Sequence, residues 1–108
     1  MYSFPLEENE TIIKKCLASY TSDNDVLNGA LYLTEYRLVF VGYALSAANK
    51  YMDEVPLTHI KELRAEKTFY IIPNALRVVT IKDKVIKFVV KGRDEWFNAI
   101  NDQIAEGN

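Results

Sequence analysis

Between residues 12 and 90 the chain repeatedly alternates apolar with polar positions, the period of two expected where successive side chains point to opposite faces of a β-strand. The first run covers 12–20, where Ile13, Leu17 and their neighbours interleave with Lys14, Lys15 and Ser19. Thr21, Ser22, Asp23, Asn24 and Asp25 follow, a cluster of short polar side chains that hydrogen-bond nearby backbone and so favour a turn. Residues 26–34 then put Leu27, Gly29, Leu31 and Leu33 on one face and Ala30, Tyr32 and Thr34 on the other; residues 37–43 alternate Leu38, Phe40 and Gly42 with Arg37, Val39 and Val41. Only Glu35 and Tyr36 separate these two runs, which predicts a hairpin, although neither is the glycine or asparagine that the tightest turns prefer.

Residues 44–52 break the alternation, and their alanines suit a short helix and a long loop equally well. Strand character resumes at Val55 and Leu57 around Pro56, whose missing N–H places it on an edge strand or at a strand start. The run 60–69 follows, with Lys61, Glu62, Arg64 and Glu66 as charged outward positions. Pro73 and Asn74 mark a turn into 75–81, and Asp83 with Lys84 separates that run from 85–90. After Gly92 the period changes to about 3.6, with Trp96, Phe97, Ile100 and Ile104 on one stripe of an amphipathic helix and Asp102, Gln103 and Glu106 away from it. Asp94 and Glu95 suit the positive end of its dipole, and Gly107 is placed to end it in the left-handed conformation. The pattern predicts one mainly β domain over residues 1–108, with strands spanning about 12–90 in two stacked layers and a helix of about 93–106 closing the gap between them.

The run of residues 29–40, with Gly29, then Leu31-Tyr32-Leu33-Thr34, then Arg37-Leu38-Val39-Phe40 at fixed spacing, resembles the signature hairpin of GRAM domains. The acidic lead-in at 6–10, the segment 55–60, the paired aliphatic runs near the end and Trp96 fall in the order of that family. The resemblance implies a pleckstrin-homology-like fold: seven strands in a β-sandwich or partly open barrel, capped by one C-terminal α-helix. On the residues alone, Leu31, Leu33, Leu38 and Phe40 face the core and Gly29 leaves room for a closely approaching backbone or ring. Arg37 is expected to pair with Glu35 or an acidic neighbour rather than to touch a ligand.

Composition narrows the function classes. Apolar residues make up 49% and charged residues 26%, as in ordinary globular domains, and no apolar run approaches the roughly 20 residues that would span a bilayer. The acidic residues near the start do not read as a signal segment, so the expectation is a cytoplasmic protein, with attachment to the membrane periphery as the alternative. A net charge of −2 argues against nucleic acid as a partner. One cysteine, Cys16, excludes an internal disulfide and reads as a buried structural thiol. His59 is the one histidine, and Gly29, Gly42, Gly92 and Gly107 are too scattered for a phosphate-binding loop. No catalytic residue, metal site, cofactor or small-molecule substrate is therefore expected.

Binding remains. The family resemblance implies two forms of it, anionic lipid headgroups or protein segments, and implies that a headgroup would be held by basic residues around the loop joining the first two strands. Here that loop carries Asp23 and Asp25, which would repel a phosphate. Basic residues gather instead between 77 and 93, where Arg77, Lys82, Lys84, Lys87, Lys91 and Arg93 stand against Asp83 alone. They are the candidate contacts for an anionic surface, at about 1 kcal/mol per basic residue, or else a solvated face that protects an edge. Tyr43, Leu45, Tyr51, Met52 and Tyr70 are the candidate protein or homodimer interface, since aromatic and methionine side chains are enriched there, or else they fill the core under a long loop. The reading is an interaction module for a protein partner or a second copy of itself, with weak binding to anionic membrane lipid as the alternative.

Overall fold

The computed structural model describes residues 3–23, 25–44, 50–68 and 72–107. Seven strands, β1 (Ile12–Ser22), β2 (Asp25–Thr34), β3 (Arg37–Ala44), β4 (Lys50–Pro56), β5 (Ile60–Thr68), β6 (Ile72–Thr80) and β7 (Val85–Val90), precede the helix α1 (Arg93–Glu106), and a 3-10 turn, Leu57–His59, joins β4 to β5. All seven belong to one antiparallel sheet in the order β4-β3-β2-β1-β7-β6-β5, so β4 and β5 are its edges. The sheet folds over on itself: Phe40 of β3 and Leu76 of β6, with three strands between them in that order, lie in one core cluster, and the Phe40 and Phe88 rings are 6.2 Å apart. The two layers expected from the sequence are thus the two halves of one sheet, joined through the pairing of β1 with β7. Trp96 and Ile100 close the opening between them at 1% and 0% exposure.

The β2–β3 hairpin forms as predicted, with Leu31 opposite Phe40 and Leu33 opposite Leu38. Its tip dispenses with glycine because the Thr34 hydroxyl oxygen accepts the backbone N–H groups of Tyr36 (3.1 Å) and Arg37 (3.2 Å), substituting a side-chain turn for a backbone one. Gly29 pairs with Gly42, and a Cβ on Gly29 would sit 2.0 Å from the Val41 carbonyl oxygen, so the close approach anticipated there is of backbone.

Several local expectations are corrected. Pro56 does lie on an edge strand, but it ends β4, which starts at Lys50, and Leu57 belongs to the 3-10 turn that follows. Of the undecided segment 44–52, Ala44 ends β3, residues 50–52 open β4 and residues 45–49 lie outside the described residues. Pro73 and Asn74 lie inside β6, where the Asn74 side-chain oxygen accepts the Thr68 hydroxyl at 2.8 Å; β6 ends at Thr80, one residue before Ile81. Gly107 has φ −77°, and the left-handed residue is Gly92 at the helix start, φ 75°. On β1 the core takes Ala18 and Tyr20, leaving Ile13 and Leu17 exposed. The second face of β2 and β3 is not solvated: Ala30, Tyr32, Val39 and Val41 are buried together, with Phe4 packed edge-on to Tyr32 at 4.9 Å. The N-terminal segment covers that face through Phe4, which is why both faces of the hairpin are apolar.

Candidate functional site

Arg37 anchors the lead-in. Its Nε and Nη2 donate to the two Glu10 carboxylate oxygens at 2.8 Å each, Nη1 donates to Glu54, Nη2 also donates to the Pro5 carbonyl at 3.0 Å, and the guanidinium lies 5.2 Å from the Phe4 ring centre. The hydrogen bond from Arg37, opposed by burial, holds the Glu10 carboxyl down to about 2. The structural role expected for Arg37 stands, with Glu10 and Glu54 as partners. Glu35 instead accepts the backbone N–H and hydroxyl of Thr11.

The six basic candidates fall in three places. Arg77 and Lys87 face each other across β6 and β7, with Arg64 of β5 next in the same row. Glu62 and Glu66 flank that row: Glu62 meets Arg77 at 2.7 Å and Arg64 at 3.1 Å, and Glu66 lies 3.8 Å from Lys87. Lys82 and Lys84 lie at the β6–β7 turn, where Lys84 binds Asp53 of β4 at 2.7 Å. Lys91 and Arg93 lie where β7 meets α1; Arg93 binds Asp94 at 2.8 Å and the Glu66 carbonyl at 2.7 Å. Among the described residues Lys82 and Lys91 have no ion pair, and they stand at opposite ends of β7.

The β6–β7 turn and the β1–β2 turn lie at the same end of the sheet, since the Ser22 hydroxyl donates to the Val85 carbonyl at 3.2 Å. Asp23 and Asp25 are exposed there, and the Tyr20 hydroxyl donates to Asp53 beneath them. Burial, then that hydrogen bond, pushes the Tyr20 hydroxyl far above its ordinary pKa, so it stays a neutral donor. An anion arriving at this end meets exposed Asp23 and Asp25, Lys84 already held by Asp53, and Lys82 as the one lysine of the turn without an ion pair among the described residues.

The interface candidates do not form one patch. Met52 is 42% exposed on the outer face of β4, opposite Val41, and Tyr43 lies on the outer face of β3 opposite Lys50. Tyr51 points the other way, its hydroxyl 3.4 Å from that of Tyr20. Leu45 and Tyr70 lie outside the described residues. Sequence reasoning passed over Leu17, 74% exposed and opposite Ala30 on the outer face. It also passed over a cleft of about 410 Å³ at the far end, between Tyr36 of the hairpin tip, the 3-10 turn and the last turn of α1. Neither has a local signal, because each is assembled by strand pairing or by the helix crossing the sheet. Cys16 is half-buried against the Trp96 side of the core, and burial pushes its thiol up; His59 is exposed in the 3-10 turn.

The model of the GRAM domain matches residues 1–104. Two solved structures share the fold at a TM-score of 0.72. The C-terminal domain of an unknown protein from Leishmania infantum is 21% identical, and the alignment covers 91% of this chain and 87% of that one. The Vps36 N-terminal PH domain is 12% identical, with 94% of this chain and 84% of that one covered. No curated protein matches the chain significantly.

Proposed function

The chain belongs to the GRAM domain family, and on that premise we propose that it is a non-catalytic module whose ligand is protein, either a partner segment or a second copy. The observation that carries this choice over lipid is the engagement of the basic side chains: Arg77, Lys84, Lys87 and Arg93 each face a carboxylate, and Lys82 and Lys91 are a strand length apart. A headgroup would have to break these pairs before drawing energy from them, whereas exposed Leu17 and Met52 offer apolar area without that cost. The non-catalytic part rests on the inventory, in which the one thiol is held protonated by burial and is a poor nucleophile.

Sedimentation with vesicles tests the proposal. The chain is expected to stay in the supernatant with neutral vesicles and with vesicles rich in phosphatidylserine. Pelleting that needs the anionic lipid and falls between low and high salt would replace this reading with peripheral membrane attachment. Sedimentation velocity over a wide concentration range then separates the two protein ligands, since only a second copy raises the mass.

A further inference from the structure

The far-end cleft has a consistent chemistry. Its floor is apolar, with Leu57 buried and Ile104 half-buried, and the Tyr36 ring stands at its rim with 54% of the residue exposed. Glu35 of the hairpin tip and Glu106 of the last helical turn line it, and no lysine, arginine or histidine does among the described residues. The helix adds to that field: its last turn holds no basic side chain, and among the described residues only the Gly107 N–H, donated to the Gln103 carbonyl at 3.1 Å, offsets the partial negative charge of its final carbonyl groups. Hydrogen bonds from the Thr11 side chain and then its backbone lower the pKa of Glu35 and keep it ionised.

An apolar floor, an open aromatic face and an unbalanced negative rim fit an aliphatic stem that ends in a cation. We infer that the cleft receives an arginine or lysine side chain presented by a segment of a partner protein. The stem lies on Leu57 and Ile104, and the cationic head meets Glu35, Glu106, the helix end and the Tyr36 face. The sign of the rim selects this class of partner, because an anionic membrane surface would be repelled from it. The inference rests on the protein-binding reading and adds a place and a chemistry to it.

The test uses the ¹⁵N-labelled chain and two amidated octapeptides, one alternating arginine with leucine and one alternating glutamate with leucine. Amide shifts at Tyr36, Thr58 and Glu106 should move and saturate with the arginine peptide, weaken with salt, and stay still with the glutamate peptide. Glu106→Lys should lower the affinity at least tenfold while leaving the melting temperature unchanged or higher, because lysine suits a helix C-terminus. Asp25→Lys, at the opposite end of the sheet, makes the same charge change and should keep the affinity within about twofold. Equal losses in the two variants, or no saturable shift at millimolar peptide, would overturn the inference. Shifts confined to Leu17 and Met52 would overturn it too while leaving the protein-binding reading in place; anionic vesicle pelleting removes that reading itself.

Discussion

Glu10 has no exposed side-chain surface and Arg37 has 11%, so each charge depends on the other rather than on water. The carboxyl of Glu10 falls from 4.5 to about 2, and a carboxylate with a depressed pKa stabilises the fold fully above its unfolded value and loses that contribution as pH falls through its folded value. The window is therefore about pH 4.5 down to about 2, and the contribution lost across it is about 3 kcal/mol at most. Urea unfolding at pH 6 and at pH 2.5 should show this loss. Glu10→Gln should remove most of the difference while lowering stability at pH 6 by about 3–5 kcal/mol, since it leaves Arg37 short of its buried partner. An equally steep acid limb in the variant would assign the effect to other carboxylates. The sequence announced that Arg37 needed an acid but not which one: Glu35 is two positions away, yet the turn aims it at Thr11, and the partner lies 27 residues upstream.

At the scale of strands, the Gly29–Gly42 pair fixes how closely β2 and β3 approach. Gly29→Ala places a methyl 2.0 Å from the Val41 carbonyl and 2.6 Å from the Gly42 Cα, both backbone atoms that cannot rotate away. We expect a loss of about 1–3 kcal/mol, read as a lower urea midpoint with unchanged slope; a midpoint equal to the parent would mean the strands can spread. Alternation made most strands legible, because one face of each meets the core. It misled where another segment covers the second face, as Phe4 does over Tyr32 and Val39, and where a residue type outweighed its setting. Pro73 and Asn74 read as a turn but lie in β6, and Gly107 read as a left-handed helix stop but has φ −77°, while the left-handed glycine is Gly92 at the helix start. The cleft was invisible for a different reason: Tyr36, Leu57 and Ile104 share no local pattern and meet only once α1 crosses the folded sheet.

For the molecule as a whole, the edges β4 and β5 leave the sheet open, and α1 packs against β5, β6 and the 3-10 turn with Trp96 and Ile100 in the shared core. A chain ending at Lys91 uncovers that core. It should lose cooperative thermal unfolding and bind a hydrophobic dye at neutral pH; a sharp transition near that of the full chain would show that the sheet suffices alone. The pairing of β1 with β7 runs only from Ala18 to Thr21 and joins residues 66 to 72 positions apart, so the first strand waits for the last. On the ribosome, β2, β3 and β4 can assemble beside β1 as they emerge, but one flank of β1 stays unclaimed until β7, some 66 to 72 positions later, has left the exit tunnel. During that interval the nascent chain offers an open flank of β1 to its neighbours, a pairing hazard in the middle of the sheet that closes once β7 is in place.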